Sequence, residues 1–202
     1  METVITNTQD NKCKVTDEQL QDAIRTIMLA IGEDPEREGL VETPARIARM
    51  YKEIFRGYNP DSKPAITTFA NSAHETEMVF DSGDYYSMCE HHMLPFFGKY
   101  YFAYMPSADG RILGISKVAR VVSYCAAKLQ LQERLCREVI EMLSEALDGN
   151  AIGFAIVMKG KHLCKSMRGI RNDGDMTVSY FTGAFKDDAN LRREFFNMIQ
   201  MQ

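Results

Sequence analysis

The sequence predicts an α+β protein whose sheet is four-stranded and mostly antiparallel, in the order helix-helix, then β-β-α-α-β-β, then a closing helix. Three observations carry this. Apolar residues recur at helical spacing between 17 and 57; four short runs rich in aromatic and β-branched residues occur at 76–80, 99–105, 151–159 and 177–185; and two long amphipathic stretches separate the second run from the third.

The elements follow in order. Residues 1–15 are polar and read as a mobile arm. From Thr16-Asp17-Glu18 onward, Leu20, Ile24, Ile27, Met28 and Ile31 mark a helix that Gly32 is suited to end. After the turn-prone stretch from Glu33 to Gly39, Thr43 and Pro44 offer a capping hydroxyl and a first-turn proline. That second helix is expected to bury Ile47, Met50, Ile54 and Tyr51, to carry Arg46 and Arg49 on another face, and to end near Gly57. These helices form a region over 16–62, and a second domain runs over 63–202. There, Thr76–Phe80 and Lys99–Met105 read as strands. Ser116–Lys128 and Leu131–Leu147 read as helices, Ser116 being a candidate cap and Gly149 a stop. Ala151–Lys159 and Thr177–Phe185 complete the strands, and Ala189–Ile199 closes the chain as a helix.

Composition excludes several classes. The chain has 202 residues and a formal net charge of −4, so a nucleic-acid surface is not its expected partner. No run approaches the 18 or so apolar residues of a membrane span, and METVITNTQDNK lacks the order of a secretory signal, so a cytoplasmic protein is expected. Its five cysteines, at 13, 89, 125, 136 and 164, are odd in number and scattered, unlike a disulfide framework.

Chemistry concentrates in Cys89-Glu90-His91-His92, the head of CEHHMLPFFGK, and in His162-Leu163-Cys164. A Cys-x-x-His gap lets one turn present a sulfur and an imidazole to one ion, and a third ligand is then needed. If the strand pattern persists through 162–164, His162 and Cys164 share a side. Cys89, His92 and Cys164 would hold zinc with one position open, leaving His91 and His162 beside the metal. Buried thiols and surface imidazoles are the bland alternative, weakened because three of the four histidines lie beside two of the cysteines. His74 has no such company and reads as solvated; Cys125 and Cys136 fit the helical apolar patterns and read as core.

A second set of residues is cationic. Ser116, Lys117 and Arg120 open a helix whose unpaired N–H groups already favour an anion. Arg168 and Arg171 follow Cys164, and Arg46 and Arg49 lie on the second helix. Any one of these is usually a solvated charge. As a set they suggest several phosphates.

Five motifs, CEHHMLPFFGK, GISKVARVV at 114–122, LQERL at 131–135, HLCKSMRGIR at 162–171 and EGLVETPARIARMY at 38–51, together resemble GTP cyclohydrolase I, from about Asp17 to the C-terminus. The resemblance implies the tunnelling fold, with 63–202 as the catalytic domain, and a homodecamer of two stacked pentamers with sites between subunits. It implies an allosteric, zinc-dependent enzyme converting GTP and water into 7,8-dihydroneopterin triphosphate and formate, without a redox cofactor, at the entry to pterin and folate synthesis. Matched residue by residue, it implies Cys89, His92 and Cys164 as zinc ligands and His91 and His162 as the acid–base pair. Glu133 would read guanine and Gln132 would bind the substrate beside it; Ser116, Lys117, Arg120 and Arg168 would contact the triphosphate, with Arg46 and Arg49 supplied by a neighbouring subunit.

Arg49 stands where such proteins often carry lysine, and Lys128-Leu129 where an arginine-proline pair is frequent. Two alternatives stay open. A reductase on the same fold acting on a pterin-like or deazapurine nitrile would use a cysteine nucleophile and would not need CEHH. A non-catalytic, zinc-stabilised oligomer that binds nucleotide would fill the fourth zinc position with His91 or His162.

Overall fold

The structure, a computed structural model, describes residues 15–202. The arm expected over 1–15 lies, apart from Val15, outside the described residues, as does Cys13. The chain divides into two units, Met1–Lys63 and Pro64–Gln202.

In the first unit, α1 (Asp17–Ala30) starts at a reciprocal cap: the Gln19 amide donates to the Thr16 hydroxyl and the Thr16 amide to the Gln19 side chain. Gly32, at φ 90°, follows its end. The apolar stripe is narrower than its spacing predicts. Ile24 and Met28 are buried, while Ile27 and Ile31 are 60% and 72% exposed. In α2 (Thr43–Ile54), Thr43 is the first helical residue instead of the cap; Glu42 precedes it without a side-chain capping bond. Pro44 and Ala48 are its buried residues, whereas Met50, expected inside, is exposed. The helix also stops three residues short of Gly57, and two 3-10 turns, Arg56–Tyr58 and Pro60–Ser62, follow.

The second unit holds β1 (Thr68–Ala70), β2 (Val79–Cys89), β3 (Pro95–Pro106), β4 (Arg111–Leu113), α3 (Lys117–Ala126), β5 (Leu129–Gln130), α4 (Gln132–Ala146), β6 (Ala151–His162), α5 (Leu163–Ser166), β7 (Met176–Gly183), α6 (Ala184–Asp187) and α7 (Ala189–Gln200). Strands β1 and β4 form a small antiparallel ribbon that the sequence did not announce. The main sheet runs β5-β2-β3-β6-β7. Its four long strands are antiparallel neighbours, but the sheet has five strands and not the expected four, because Leu129–Gln130 adds a parallel edge beside Met88 and Cys89.

Alternation along the strands makes two cores. One face carries Phe96, Tyr100, Phe102 and Tyr104 of β3 with Phe154, Ile156 and Met158 of β6, packed with Val121 and Val122 of α3 and Leu135, Val139 and Leu143 of α4. The other carries Ala103, Ala155 and Val157 beneath Phe185 of α6 and Phe195 of α7. Removing an aromatic ring such as Phe96 from the larger core costs about 3–5 kcal/mol.

Register positions the site. Phe96 pairs with His162 and Met88 with Pro95, so the end of β2, the start of β3 and the end of β6 meet at one end of the sheet. Glycines permit the close approach: a Cβ on Gly98 would lie 2.0 Å from the Lys159 carbonyl, and one on Gly160 would lie 2.2 Å from the Tyr85 hydroxyl. Both strands need hydrogen at those positions.

Candidate metal centre

Cys89 ends β2, and the five residues Glu90 to Leu94 return the chain to β3. The turn is tied by its backbone: the Cys89 amide donates to Leu94 O at 2.9 Å and the Met93 amide to Cys89 O at 2.9 Å, with Met93 at φ 52°. β6 ends at His162, and Cys164 sits in the single helical turn that follows. The strand expected to carry both residues has therefore stopped, yet Cys164 Sγ still lies 4.0 Å from His162 Nδ1.

Across the sheet end, Cys89 Sγ and Cys164 Sγ are 3.7 Å apart. Cys89, His162 and Cys164 each offer a ligand atom within 4.8 Å of the others. Two sulfurs bound tetrahedrally to zinc at about 2.3 Å would be about 3.8 Å apart, so the thiol spacing and the donor set both fit zinc.

The third group is a departure from the spacing argument. Among the described residues, the imidazole within the thiol group is that of His162, not His92. His91 comes within 3.9 Å of Cys89 Sγ through Nδ1, and His92 is exposed, its ring 6.4 Å from that of His91.

His162 is tightly held. Its ring stacks on Phe96 with centroids 4.5 Å apart and planes 6° apart, and its Nε2 is 2.9 Å from Gln132 Oε1. Burial pulls its pKa down, opposed by the nearby negative charge of Glu133 and assisted by Lys165. Burial pushes the Cys164 thiol up, the neighbouring Cys89 adds to this, and Arg168 opposes it. Cys136, inside the core, is pushed by burial up to about 12, and Cys125 is fully buried. Both lie in the core, as their pattern predicts.

The remaining expected site residues fall in three places. Glu133 is exposed in the first turn of α4, and Gln132, one residue earlier, is 1% exposed with its amide engaged internally. Ser116, Lys117 and Arg120 lie at the start of α3, where Ser116 makes no capping bond; Ser116 and Arg120 are exposed. Arg168 is exposed beyond α5, and Arg46 and Arg49 are exposed on α2 in the first unit. His74 is exposed, with Nδ1 3.0 Å from Ala108 O.

Sequence reasoning suits Glu90 to holding the turn more than to chemistry but does not find its partner, Arg134. The Arg134 guanidinium bonds the Glu90 carboxylate, Leu129 O at 3.0 Å and Gln130 Oε1 at 2.9 Å. Gln130 in turn donates to Glu138, which also pairs with Lys128 at 3.1 Å. A spacing of 44 residues between Glu90 and Arg134 carries no local signal, so nothing in the sequence could have paired them.

A family model described as GTP cyclohydrolase I matches residues 20–200. Proteins named GTP cyclohydrolase 1 from Thermoanaerobacter pseudethanolicus, Bacillus subtilis and Corynebacterium glutamicum are similar at 47%, 44% and 43% identity. The alignments cover 90%, 94% and 91% of this chain and 96%, 98% and 93% of theirs. Among solved structures, an archaeosine synthase QueF-Like in the apo form aligns over 52% of this chain and 93% of its own at 18% identity and a TM-score of 0.40, too slight a likeness to argue from. A match that extends over nearly the whole chain, and holds at these identities, makes this chain a member of the GTP cyclohydrolase I family.

Proposed function

We propose that this protein is a zinc-dependent hydrolase that opens the imidazole ring of GTP at C8, releases formate and forms 7,8-dihydroneopterin triphosphate at the first step of pterin and tetrahydrofolate biosynthesis. The observation that carries the reading is the meeting of Cys89, Cys164 and a histidine at one sheet end, in a chain of this family. Cys89 and Cys164 hold the metal, with His92 as the third ligand from the turn. Zinc bound there supplies a Lewis acid that makes water a usable nucleophile near neutral pH.

The chain's own groups do the rest. A histidine protonated at Nδ1 donates to N7 of the purine and draws electrons from C8, and His91 and His162, whose Nδ1 atoms lie 3.9 and 4.0 Å from the two sulfurs, are the pair for that work. Glu133, an acceptor only, takes the N1–H and exocyclic amine of guanine, donors that adenine lacks; its charge is already felt at His162. Gln132 lies beside it. Lys117, Arg120 and Ser116 at the start of α3, with Arg168, take the triphosphate, and Arg46 and Arg49 of a neighbouring subunit complete the clamp.

The second domain, 63–202, is the catalytic tunnelling-fold unit, 16–62 the helical region, and the assembly a cytoplasmic homodecamer. Supporting assembly, Ile115, Ile170 and Tyr86 are 96%, 79% and 73% exposed, and β7 ends the sheet with a free edge among the described residues. No helix among the described residues is long and apolar enough to cross a membrane.

A second reading has its own observation. The imidazole within the thiol group is that of His162, which suits a closed structural site in a non-catalytic nucleotide-binding oligomer. One experiment separates the two. Zinc-loaded protein incubated with GTP should yield formate and the fluorescent oxidised pterin, and His162→Ala should keep zinc while losing turnover. Neither product from wild-type protein, or zinc lost from His162→Ala, supports the closed site.

A further inference from the structure

We infer that Gln132 is a positioning residue for His162: its side-chain amide fixes the imidazole as the Nε2–H tautomer and leaves Nδ1 as the one nitrogen free to exchange protons or bind an ion.

The argument is an accounting of donors. One end of the Gln132 amide lies 2.7 Å from Met158 O and 3.2 Å from Met176 O. Backbone carbonyls only accept, so the atom between them is the NH2 group, and both its hydrogens are engaged. The other end is then the carbonyl oxygen, 2.9 Å from His162 Nε2. An oxygen without hydrogen facing a ring nitrogen requires that nitrogen to donate. Neutral imidazole carries one N–H, so Nδ1, on the side of Cys164 Sγ, holds a lone pair. The Phe96 ring lies parallel against His162, so tilting the imidazole would break the stack, and a half-turn about Cβ–Cγ would keep the stack but lose the bond to Gln132.

The anchor is rigid for a structural reason. Gln132 begins α4 and is 1% exposed, and its two acceptors belong to neighbouring strands, β6 and β7. The amide thereby ties the helix to two strands and the histidine to all three. With both hydrogens engaged, Gln132 has no donor left for a substrate, which sets it apart from exposed Glu133.

The tautomer is independent of the reaction proposed above; only the kinetic arm of the test rests on that reading. Full-length protein labelled with 15N-histidine, studied by solid-state NMR with zinc bound and after chelation, has four histidines to resolve, and His162→Gln assigns the signal. Wild type should show Nε2 protonated and Nδ1 bare. Gln132→Met should give a mixture of tautomers and lower kcat by about 10–100-fold, the range seen when a group that orients an active-site histidine is lost, with KM for GTP little changed. A neutral ring protonated at Nδ1 and bare at Nε2 in wild type, an unaltered signal in Gln132→Met, or a raised KM at unchanged kcat would each overturn the proposal. Should Gln132→Met fail to fold, the wild-type spectrum alone decides. Wild-type protein that shows the tautomer yet forms no product from GTP would defeat the proposed reaction and leave this inference standing.

Discussion

Replacing Arg134 by methionine tests whether the thiol-bearing turn is held by the helix behind it. Arg134 reaches the residue after Cys89 through the Glu90 carboxylate, and the Glu90 amide donates to Gln130 O at 3.1 Å, so side chain and backbone of Glu90 are both tied to the β5–α4 segment. The Arg134 and Glu90 side chains are 38% and 31% exposed, which discounts their ion pair to roughly 0.5–1 kcal/mol. The bonds to Leu129 O and Gln130 Oε1 add roughly 1 kcal/mol each. Arg134→Met thus removes about 2–3 kcal/mol of local order. Only the Glu90 link bears directly on Cys89, so about 1 kcal/mol, near fivefold, should appear as weaker zinc binding. Competition against a chromophoric chelator near neutral pH measures it, with Glu90→Gln and the double variant closing a cycle. An unchanged zinc Kd in Arg134→Met, or fully additive effects in the cycle, would refute the reasoning.

Other expectations follow from the same geometry. Cys164→Ser removes one of two facing sulfurs and should lose zinc together with activity; metal analysis showing an inactive but fully loaded variant would contradict its role as a ligand. Glu133→Gln replaces an acceptor with a mixed donor and acceptor on an exposed turn, so KM for GTP should rise while bound zinc stays constant, and unchanged kinetics would sink the guanine assignment. Asp81 supplies a pH dependence. Burial holds its carboxyl above the ordinary 3.8, opposed by the Tyr100 hydroxyl donating at 2.9 Å. A raised carboxyl binds protons on folding, so its contribution is full below 3.8 and is lost as pH rises through the folded value. Asp81→Asn should therefore raise the Tm at pH 7 relative to wild type and flatten the decline above 3.8; a lower Tm would show that the charge is favourable where it stands.

The sequence was most legible where periodicity is long. Gln132–Ala146 and Ala189–Gln200 fall within two residues of their predicted bounds because uninterrupted apolar spacing fixes a helix. The sequence reading ends β2 at Phe80, nine residues short of Cys89: Val79–Cys89 contains Asp81, Ser82, Gly83 and Asp84, polar and small residues that disfavour a strand taken alone. Pairing with β3 overrides that preference, since Asp84 meets Lys99 and Gly83 meets Tyr100 in register. β5, two residues long, exists through pairing alone. At the site, Cys89 and Cys164 were legible as partners because few residue types bind zinc. Which imidazole lies nearest the two thiols was not, because the placement of His162 there and of His92 outside depends on the shape of a five-residue turn and on Gln132, none of which has a periodic signature.

The run Gln132-Glu133-Arg134 shows why one helix end can organise the site. Successive residues on an α-helix point about 100° apart, so three in a row face three directions. Gln132 turns inward to β6, β7 and His162; Arg134 turns toward β5 and the Cys89 turn; Glu133, between them, stays exposed. His162 and Cys89 come from strands separated by β3, yet the contacts that hold them converge on a single helical turn. A rotation of α4 by one residue would detach both at once, whereas a change confined to either strand end would move only one. Defects in α4 should therefore disturb the imidazole and the thiol turn together, and the Arg134 cycle and the Gln132 spectrum read the two ends of that coupling.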